Sequence, residues 1–430
     1  MKVFLIPLTI LLSLAFASEP ISIEYDLSAW VSLALEYSPD MGVSFAGLEA
    51  ADAGLLSSRS FLWPSLVFRA SAGHNWSSSA ATGDYDDESY SSSLTLTQEI
   101  LSNGGSSWLR MSGSQHEMTA AEHDHRGVML DIMLDVLTGY YGVIEAVGLR
   151  NAARHSLERS MRHLEKVQAL YDLGAMTTLE LIQSRVQESR DRLTLSQREQ
   201  GIYTAYSALY EAAGIQSGDT VYTVNSLAVL EPVTEETALQ YDIDVSNNPS
   251  LRASLERLEE ARLGSEADRR LYWPSLSASG SWSWNGSRFD LEDIPDEDGW
   301  NVSVNLTWNI FDGWYRESRI KSSRAAWLRS DAGHRSLENS LNTRVANSHE
   351  SLLISIRNYE LAGLSFDYAM EQLELSQMSY DLGGLSLLDL LDAQEAIADA
   401  EAALVSARIS CLEDEAGLLV MLGRTPRLGE

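Results

Sequence analysis

Trp63-Pro64-Ser65-Leu66 returns as Trp273-Pro274-Ser275-Leu276, at an offset of 273 − 63 = 210 residues. Pro39 and Pro249 keep that offset, as do Leu96-Thr97 and Leu306-Thr307, and Ile100 and Ile310. Farther along, Tyr171-Asp172-Leu173-Gly174 returns as Tyr380-Asp381-Leu382-Gly383 at 380 − 171 = 209, a spacing that Gly214 and Gly423 share. One deletion therefore separates two collinear halves. A period this long is no solenoid repeat but a duplicated, domain-sized unit. Each unit reads in the same order. A helix (26–60 and 247–270) is followed by two strand-like runs, a very long helical stretch, a Gly-containing turn and another long helix. The chain divides into repeats at 18–214 and 247–430, joined by a segment 215–246 that holds Pro232 and no clear repeat.

The runs after each Trp-Pro-Ser-Leu alternate. Leu276, Ala278, Gly280, Trp282 and Trp284 interleave with Ser275, Ser277, Ser279, Ser281 and Ser283. Trp300, Val302, Val304, Leu306, Trp308 and Ile310 interleave with Asn301, Ser303, Asn305, Thr307 and Asn309. A period of two puts these sets on opposite faces of a strand. The first half repeats the pattern with Leu66, Phe68, Ala70, Ala72 and Trp76, then Leu94, Leu96 and Ile100. Strands are expected over 62–76, 90–101, 272–284 and 300–311. About ten residues suffice to cross a bilayer as a tilted strand, and apolar-out, polar-in alternation with Trp near the ends is a membrane-barrel pattern. A soluble antiparallel sheet with one wet face fits the same alternation. The connections between paired strands, Gly83–Glu88 and Asp290–Gly299, are acidic. Clustered carboxylates suit hard cations, but the spacing fits no EF-hand register, so solvated loops are the expectation.

No proline lies between Pro64 and Pro232 or between Pro295 and Pro426. Met129, Met133, Val136, Tyr140, Ile144 and Val147 recur in steps of three and four, and so do Leu352, Ile356, Tyr359, Gly363, Phe366, Met370 and Leu373. Such a 3.5-residue seam calls for coiled-coil packing. Helices over 105–170 and 315–379 would each span roughly 95–100 Å at 1.5 Å per residue, far beyond an ordinary globular helix. Two strands per repeat give four per chain, too few to close a barrel on their own, so closure must be shared between copies. A trimer supplies twelve strands above a ring of twelve helices.

Met1-Lys2, the apolar run Val3–Leu14 and Ala15-Phe16-Ala17 read as a signal peptide over 1–17. The net charge of −31 excludes nucleic-acid binding, which needs a basic footprint. Cys411 is the single cysteine, so no intrachain disulfide forms, and its helical setting suggests a packed core residue. No enzyme constellation is visible. His123-Asp124-His125 places its imidazoles on different sides of a helix, His116-Glu117 does not continue as His-Glu-x-x-His, and neither Gly-x-Ser-x-Gly nor a Walker-type loop occurs. No catalytic, cofactor or metal-ligating residues are assigned.

Three further stretches carry a family resemblance: Leu-Thr-Gln-Glu-Ile-Leu-Ser-Asn-Gly-Gly at 96–105, its counterpart Leu-Thr-Trp-Asn-Ile-Phe-Asp-Gly at 306–313, and Tyr380-x-x-Gly383-x-x-Ser386-x-x-Asp389-x-x-Asp392-Ala393-Gln394 with Leu387, Leu388, Leu390 and Leu391 interleaved. Together with the Trp-Pro-Ser-Leu pairs and the duplicated order, these make the chain resemble the TolC family of outer-membrane efflux proteins over nearly its whole length. The resemblance implies an α+β membrane protein working as a homotrimer in the bacterial outer membrane. A 12-stranded β-barrel among outer-membrane lipid would top a long helical barrel in the periplasm, with 215–246 as a girdle. It implies an exit duct for an inner-membrane transporter and a periplasmic adaptor, in efflux or type I secretion.

Residue by residue, the resemblance matches Asp389 and Asp392 to carboxylates lining the periplasmic entrance, where a ring of one sign favours cations. Spacing alone fits two exposed acids serving the start of the last helix. Tyr380 and Glu180 match positions that latch the entrance, but Leu385 stands where an Arg is expected. Leu173, Gly174, Leu382, Gly383 and Leu385 at the two tips match adaptor-contact positions. Gly174 and Gly383 permit positive φ, and the leucines equally suit packing within each hairpin. An exported coiled-coil scaffold or adhesin is the competing reading, but it leaves the paired amphipathic strands unexplained.

Overall fold

The computed structural model describes residues 21–79, 83–215, 220–224, 231–286 and 297–428; the expected signal peptide at 1–17 and residues 290–296 of the second acidic loop lie outside them. The first repeat comprises β1 (Ile21–Tyr25), α1 (Leu27–Tyr37), α2 (Pro39–Ser58), β2 (Ser65–Ser79), β3 (Gly83–Leu101), α3 (Ser106–Asp172) and α4 (Thr178–Ala212). Between the repeats come β4 (Thr220–Val224) and α5 (Glu235–Leu239). The second repeat comprises α6 (Pro249–Arg269), β5 (Ser275–Gly286), β6 (Glu297–Thr307), α7 (Tyr315–Asp381) and α8 (Leu387–Met421).

The sheet has strand order β2-β3-β5-β6, antiparallel throughout, with β2 and β6 as its two edges. Both outer ladders start where a proline ends. Pro64 and Pro274 have no N–H to donate, and pairing begins at Ser65↔Thr97 and Ser275↔Thr307. The last strand therefore stops at Thr307 instead of running to 311, and the Trp308 indole donates to the Tyr272 carbonyl at 3.0 Å. Gly83–Glu88, expected as a loop, continues β3 in register with β2 as far as Ser79↔Gly83. A register shift between Glu99 and Leu101 accommodates Ile100 as a bulge.

Register aligns the apolar residues across all four strands. Phe68 pairs with Leu94, Leu94 with Trp282 and Trp282 with Trp300; below them run Leu66, Leu96, Gly280 and Val302. Serines line the opposite face, where Ser71 and Ser91 share a hydrogen bond of 2.7 Å and Ser279 and Ser303 one of 2.9 Å. The apolar face is bare: Trp300 is 80% exposed, and Leu66, Phe68, Val302, Val304 and Leu306 are exposed with it. A soluble sheet buries such a face; here nothing among the described residues covers it.

The first helix of each repeat breaks at its proline. Ser38 and Asn248 are extended caps, and Pro39 and Pro249 open α2 and α6 at a position where the missing N–H costs nothing. The single helix expected over 26–60 is therefore two. The conserved offsets at Gly214 and Gly423 have a shared cause. Both have positive φ and butt against those helix starts, so that a Cβ would stand 2.9 Å from Ser38 Cα in one repeat and 2.2 Å from the Asn247 carbonyl oxygen in the other. At the sheet–helix junctions Gly105 and Trp314 occupy equivalent left-handed positions, φ 88° and 72°. The Trp accepts a conformation that costs a non-glycine roughly 1–2 kcal/mol.

Two cores sit at mid-length. In the first, Met133, Val136 and Tyr140 of α3 pack with Trp30 of α1, Leu209 of α4, Val224 of β4 and Leu412 of α8. One stretch of α3 is apolar enough in composition to cross a membrane, and this packing is what occupies it. The second core joins Leu352 and Ile356 of α7 to Cys411 and Leu418 of α8 and to Val233, Ala238 and Val245. The inter-repeat segment thus contributes to both, with β4 paired in parallel to β1. Burial drives the Cys411 thiol up to about 11, as befits a packed core residue. Nearer the tips the seam of α7 continues through Phe366 and Leu373, with Ala369 buried and Met370 outside. Asp268 of α6 accepts from Arg110 of α3 at 2.6 Å and Arg319 of α7 at 3.1 Å, binding the repeats beneath the sheet.

Candidate functional site

The far ends of the two hairpins are built alike. Gly174 (φ 76°) and Gly383 (φ 74°) turn the chain out of α3 and α7. Each return helix then starts with a reciprocal capping box. Thr177 accepts from the backbone N–H of Glu180, whose carboxylate accepts from the Thr177 N–H and Oγ1, both at 2.8 Å. Ser386 accepts from the N–H of Asp389, whose carboxylate accepts from the Ser386 Oγ at 2.6 Å and N–H at 3.3 Å. Glu180 and Asp389 are thus the same residue of the duplicated unit, 389 − 180 = 209. Their first duty is to hold the helix start, and for Asp389 this is the helix-terminal role that its spacing allowed. The bonds from Thr177 hold the Glu180 carboxyl below its ordinary range. Asp392 is exposed on the next turn of α8.

The tips present leucines to solvent. Leu173 is 81% and Leu382 87% exposed. Leu385 is half-buried, unlike the other two. The sequence reading missed Leu179 and Leu388, a further equivalent pair one residue inside each return helix and exposed; their hydrophobic neighbours Leu387 and Leu390, which are buried, hid them in an apolar run. The expected latch does not form within the chain. The Tyr380 hydroxyl is buried without a hydrogen-bond partner among the described residues, its ring 5.6 Å from that of His163, and burial with nearby Glu180 and Asp381 raises its pKa. Lys166 of α3 pairs with Asp381 of α7, joining the two hairpins beside Tyr380, and that bond holds the Asp381 carboxyl below its ordinary range. An inter-hairpin ion pair was not foreseen, because Lys166 and Asp381 lie 215 residues apart in different repeats.

The side faces also matter. α3 and α8 pack on each other in the middle of the protomer, with α4 against α3 and α7 against α8. On α4, Leu179, Ile182, Val186, Leu193 and Tyr203 are exposed; on α7, Ile354, Leu361, Leu364, Tyr368 and Leu375 are exposed. Leu179, Val186 and Leu193 recur every seven residues, as do Ile354, Leu361, Tyr368 and Leu375. These are heptad faces with no helix against them among the described residues. Among the described residues no group of three or more His, Cys, Asp or Glu is placed to hold a metal. Asp124 pairs with Arg257 and His125 with Ser44.

A half-and-half duplicate with a bare apolar sheet above two helical hairpins defines an outer-membrane protein of the efflux class. Residues 30–215 and 243–424 match the family model described as outer membrane efflux protein, and the chain belongs to that family. Among curated relatives it is similar to outer membrane protein TolC of Vibrio cholerae, 23% identical over 411 residues covering 94% of this chain and 92% of the relative. It is 24% identical over 419 residues to the pyoverdine export outer membrane protein OpmQ of Pseudomonas aeruginosa, covering 93% of this chain and 85% of that one. The fold is that of the outer membrane channel CmeC of Campylobacter jejuni, with TM-score 0.80 at 20% identity over 94% of this chain and 87% of that one. It is equally that of the outer membrane protein VceC of Vibrio cholerae, with TM-score 0.80 at 17% identity over 93% of this chain and 97% of the other.

Proposed function

We propose that three copies of this chain form a passive exit duct, taking substrates from an inner-membrane transporter and its periplasmic adaptor across the outer membrane, in efflux or type I secretion. The observation that carries this reading is the pair of unfinished edges on one protomer. The sheet ends in two open strands, β2 and β6, and the helices end in two open heptad faces, on α4 and α7. The edges differ, so joining one to the other repeats head to tail and closes as a ring. Four strands per copy give twelve in a trimer, within the range of membrane barrels. Lipid then covers the row from Phe68 to Trp300, and the serine face lines a polar interior.

In this assembly Asp392 supplies a ring of three carboxylates at the periplasmic mouth, with Asp389 capping the helix beside it, and the ring favours cations. Leu173, Leu382 and Leu388 form the apolar surface offered to the adaptor, with Gly174 and Gly383 shaping the turns and Leu385 half-inside. Tyr380 and Glu180 sit at the closure point. With Leu385 in place of Arg, the ion pair that holds the hairpins together beside Tyr380 is Lys166–Asp381.

Single-channel recording of the purified mature protein in a planar bilayer tests the reading. Conductance with a preference for cations, reduced in Asp392→Asn, is the expected result. A protein that inserts and never conducts, even with Lys166→Ala to loosen the tips, contradicts it and favours the scaffold alternative.

A further inference from the structure

Above the tips a cleft of about 500 Å³ opens between α3, α7 and α8, a size within the range of roughly 300–1,000 Å³ for small-molecule sites. One wall is cationic: Arg159, Arg162, His163 and Lys166 stand at i, i+3, i+4 and i+7 of α3, one face two turns long. The facing wall carries Met370, Leu373 and Met378 of α7. Buried Gln394 of α8 also lines it. Arg159 Nε and Nη2 and His163 Nε2 are buried with no hydrogen-bond partner among the described residues, and His163 is only 6% exposed. Buried polar atoms of this kind are uncommon in folded chains. Lys166 is held by Asp381, and Glu374 is the other acid at the cleft; Arg159 and Arg162 have no carboxylate within ion-pair distance among the described residues.

We propose that this cleft binds amphipathic organic anions, a site separate from the entrance ring and from the adaptor surface. The anionic head, a carboxylate or a group of like charge, accepts from Arg159 and Arg162, for which a planar two-oxygen head is the matching geometry. The apolar body lies on Met370, Leu373 and Met378, unbranched or flexible side chains that adapt to varied shapes. A second copy of the chain does not fill the site. The open heptad of α7 runs through Tyr368 and Leu375, whereas Met370 and Gln377 each lie two residues farther on, about 200° around the helix at 3.6 residues per turn; Met378, three residues past Leu375, stands at the border between the two faces.

The probe is octanoate, added to the full mature protein in amphipol and read from ¹³C-methyl methionine spectra. Saturable shifts of Met370 and Met378 are expected, with affinity rising about three- to fourfold per added methylene from hexanoate to octanoate. Acetate and 1-octanol should each bind at least tenfold more weakly. Arg159→Gln with Arg162→Gln should lose at least tenfold while oligomeric mass and melting temperature stay unchanged. If that pair does not fold, Arg162→Gln alone, at a more exposed position, should lose several-fold, and Met378→Gln should flatten the dependence on chain length. Octanol binding as well as octanoate, unchanged affinity in the arginine variants, or non-saturating shifts of all methionines together would overturn the site. So would tenfold tighter binding of a glutamate-rich helical peptide, which would make the occupant a protein partner. None of these results depends on conductance, so the site stands or falls apart from the duct.

Discussion

α3 and α7 hold the same place in the two repeats and have the same length, 67 residues each, yet they are packed differently. α3 has α2, α4, α6 and α8 around it, and its apolar residues, Leu130 through Val143, are taken into the first core. α7 has α6 and α8, and a second apolar stripe from Ile354 to Leu375 faces nothing among the described residues. Duplication gave both helices one backbone plan, and in the proposed ring the surplus apolar face on α7 is where the next copy docks.

The largest effect follows from that stripe. Leu361→Glu with Tyr368→Glu should abolish assembly, since each side chain contributes roughly 1.5–3 kcal/mol when buried and the loss recurs at every interface. Helical content by circular dichroism should stay close to wild type, because the first and second cores are untouched. The same change on the inner face, at Leu352 and Ile356, should unfold the second repeat instead. If both pairs behave alike, the comparison between buried and open seams fails.

A second contrast concerns glycines at equivalent bends. Gly423→Ala drives a Cβ to 2.2 Å from the Asn247 carbonyl oxygen and should lower stability by more than about 2 kcal/mol. Gly174→Ala, with open space around it, should cost only about 1 kcal/mol, the left-handed conformation alone. Thermal unfolding of the two variants separates a packed bend from a free one.

Much of this arrangement was legible in the chain, and for a physical reason. Offsets of 210 and 209 residues survive only where both copies keep the same constraint: prolines at helix starts, glycines at positive φ, Trp-Pro-Ser-Leu before a ladder. Period-two and period-3.5 patterns reported the sheet face and the seams because each is imposed by one neighbour along one line. What stayed hidden depended on contacts distant in sequence. β1 and β4 are each five residues long and pair across nearly 200 residues. The Lys166–Asp381 link joins different repeats. Asp389 and Asp392 looked equivalent as acids three apart, and only the hydrogen bonds to Ser386 distinguish them.

That distinction sharpens the site. Asp389→Ala should lower stability by about 1 kcal/mol through the lost cap, with a small effect on ion preference. Asp392→Asn should leave the melting temperature alone and weaken cation preference. The reverse assignment of effects would make Asp389 the charge at the entrance.

A further effect is in pH dependence. Burial between α3 and α8, with Glu145 and Asp414 nearby, pushes the Glu413 carboxyl up to about 7. A carboxyl whose folded pKa exceeds its unfolded value binds the extra proton in the folded state, so stability falls as pH rises from about 4.3 toward 7 and then levels off. Glu413→Gln should therefore stabilise the protein at pH 8 and do little at pH 4.

The central claim is that open faces on α4 and α7 close on each other in a ring of three. Val186 and Leu375 lie at similar distances from the two tips, 186 − 178 = 8 residues into α4 and 381 − 375 = 6 residues before the end of α7. Val186→Cys with Leu375→Cys, in a Cys411→Ser background, should give an oxidised band at three times the chain mass on a denaturing gel, reversed by reductant. Cross-links confined to single chains, or a ladder running past three copies, would contradict it.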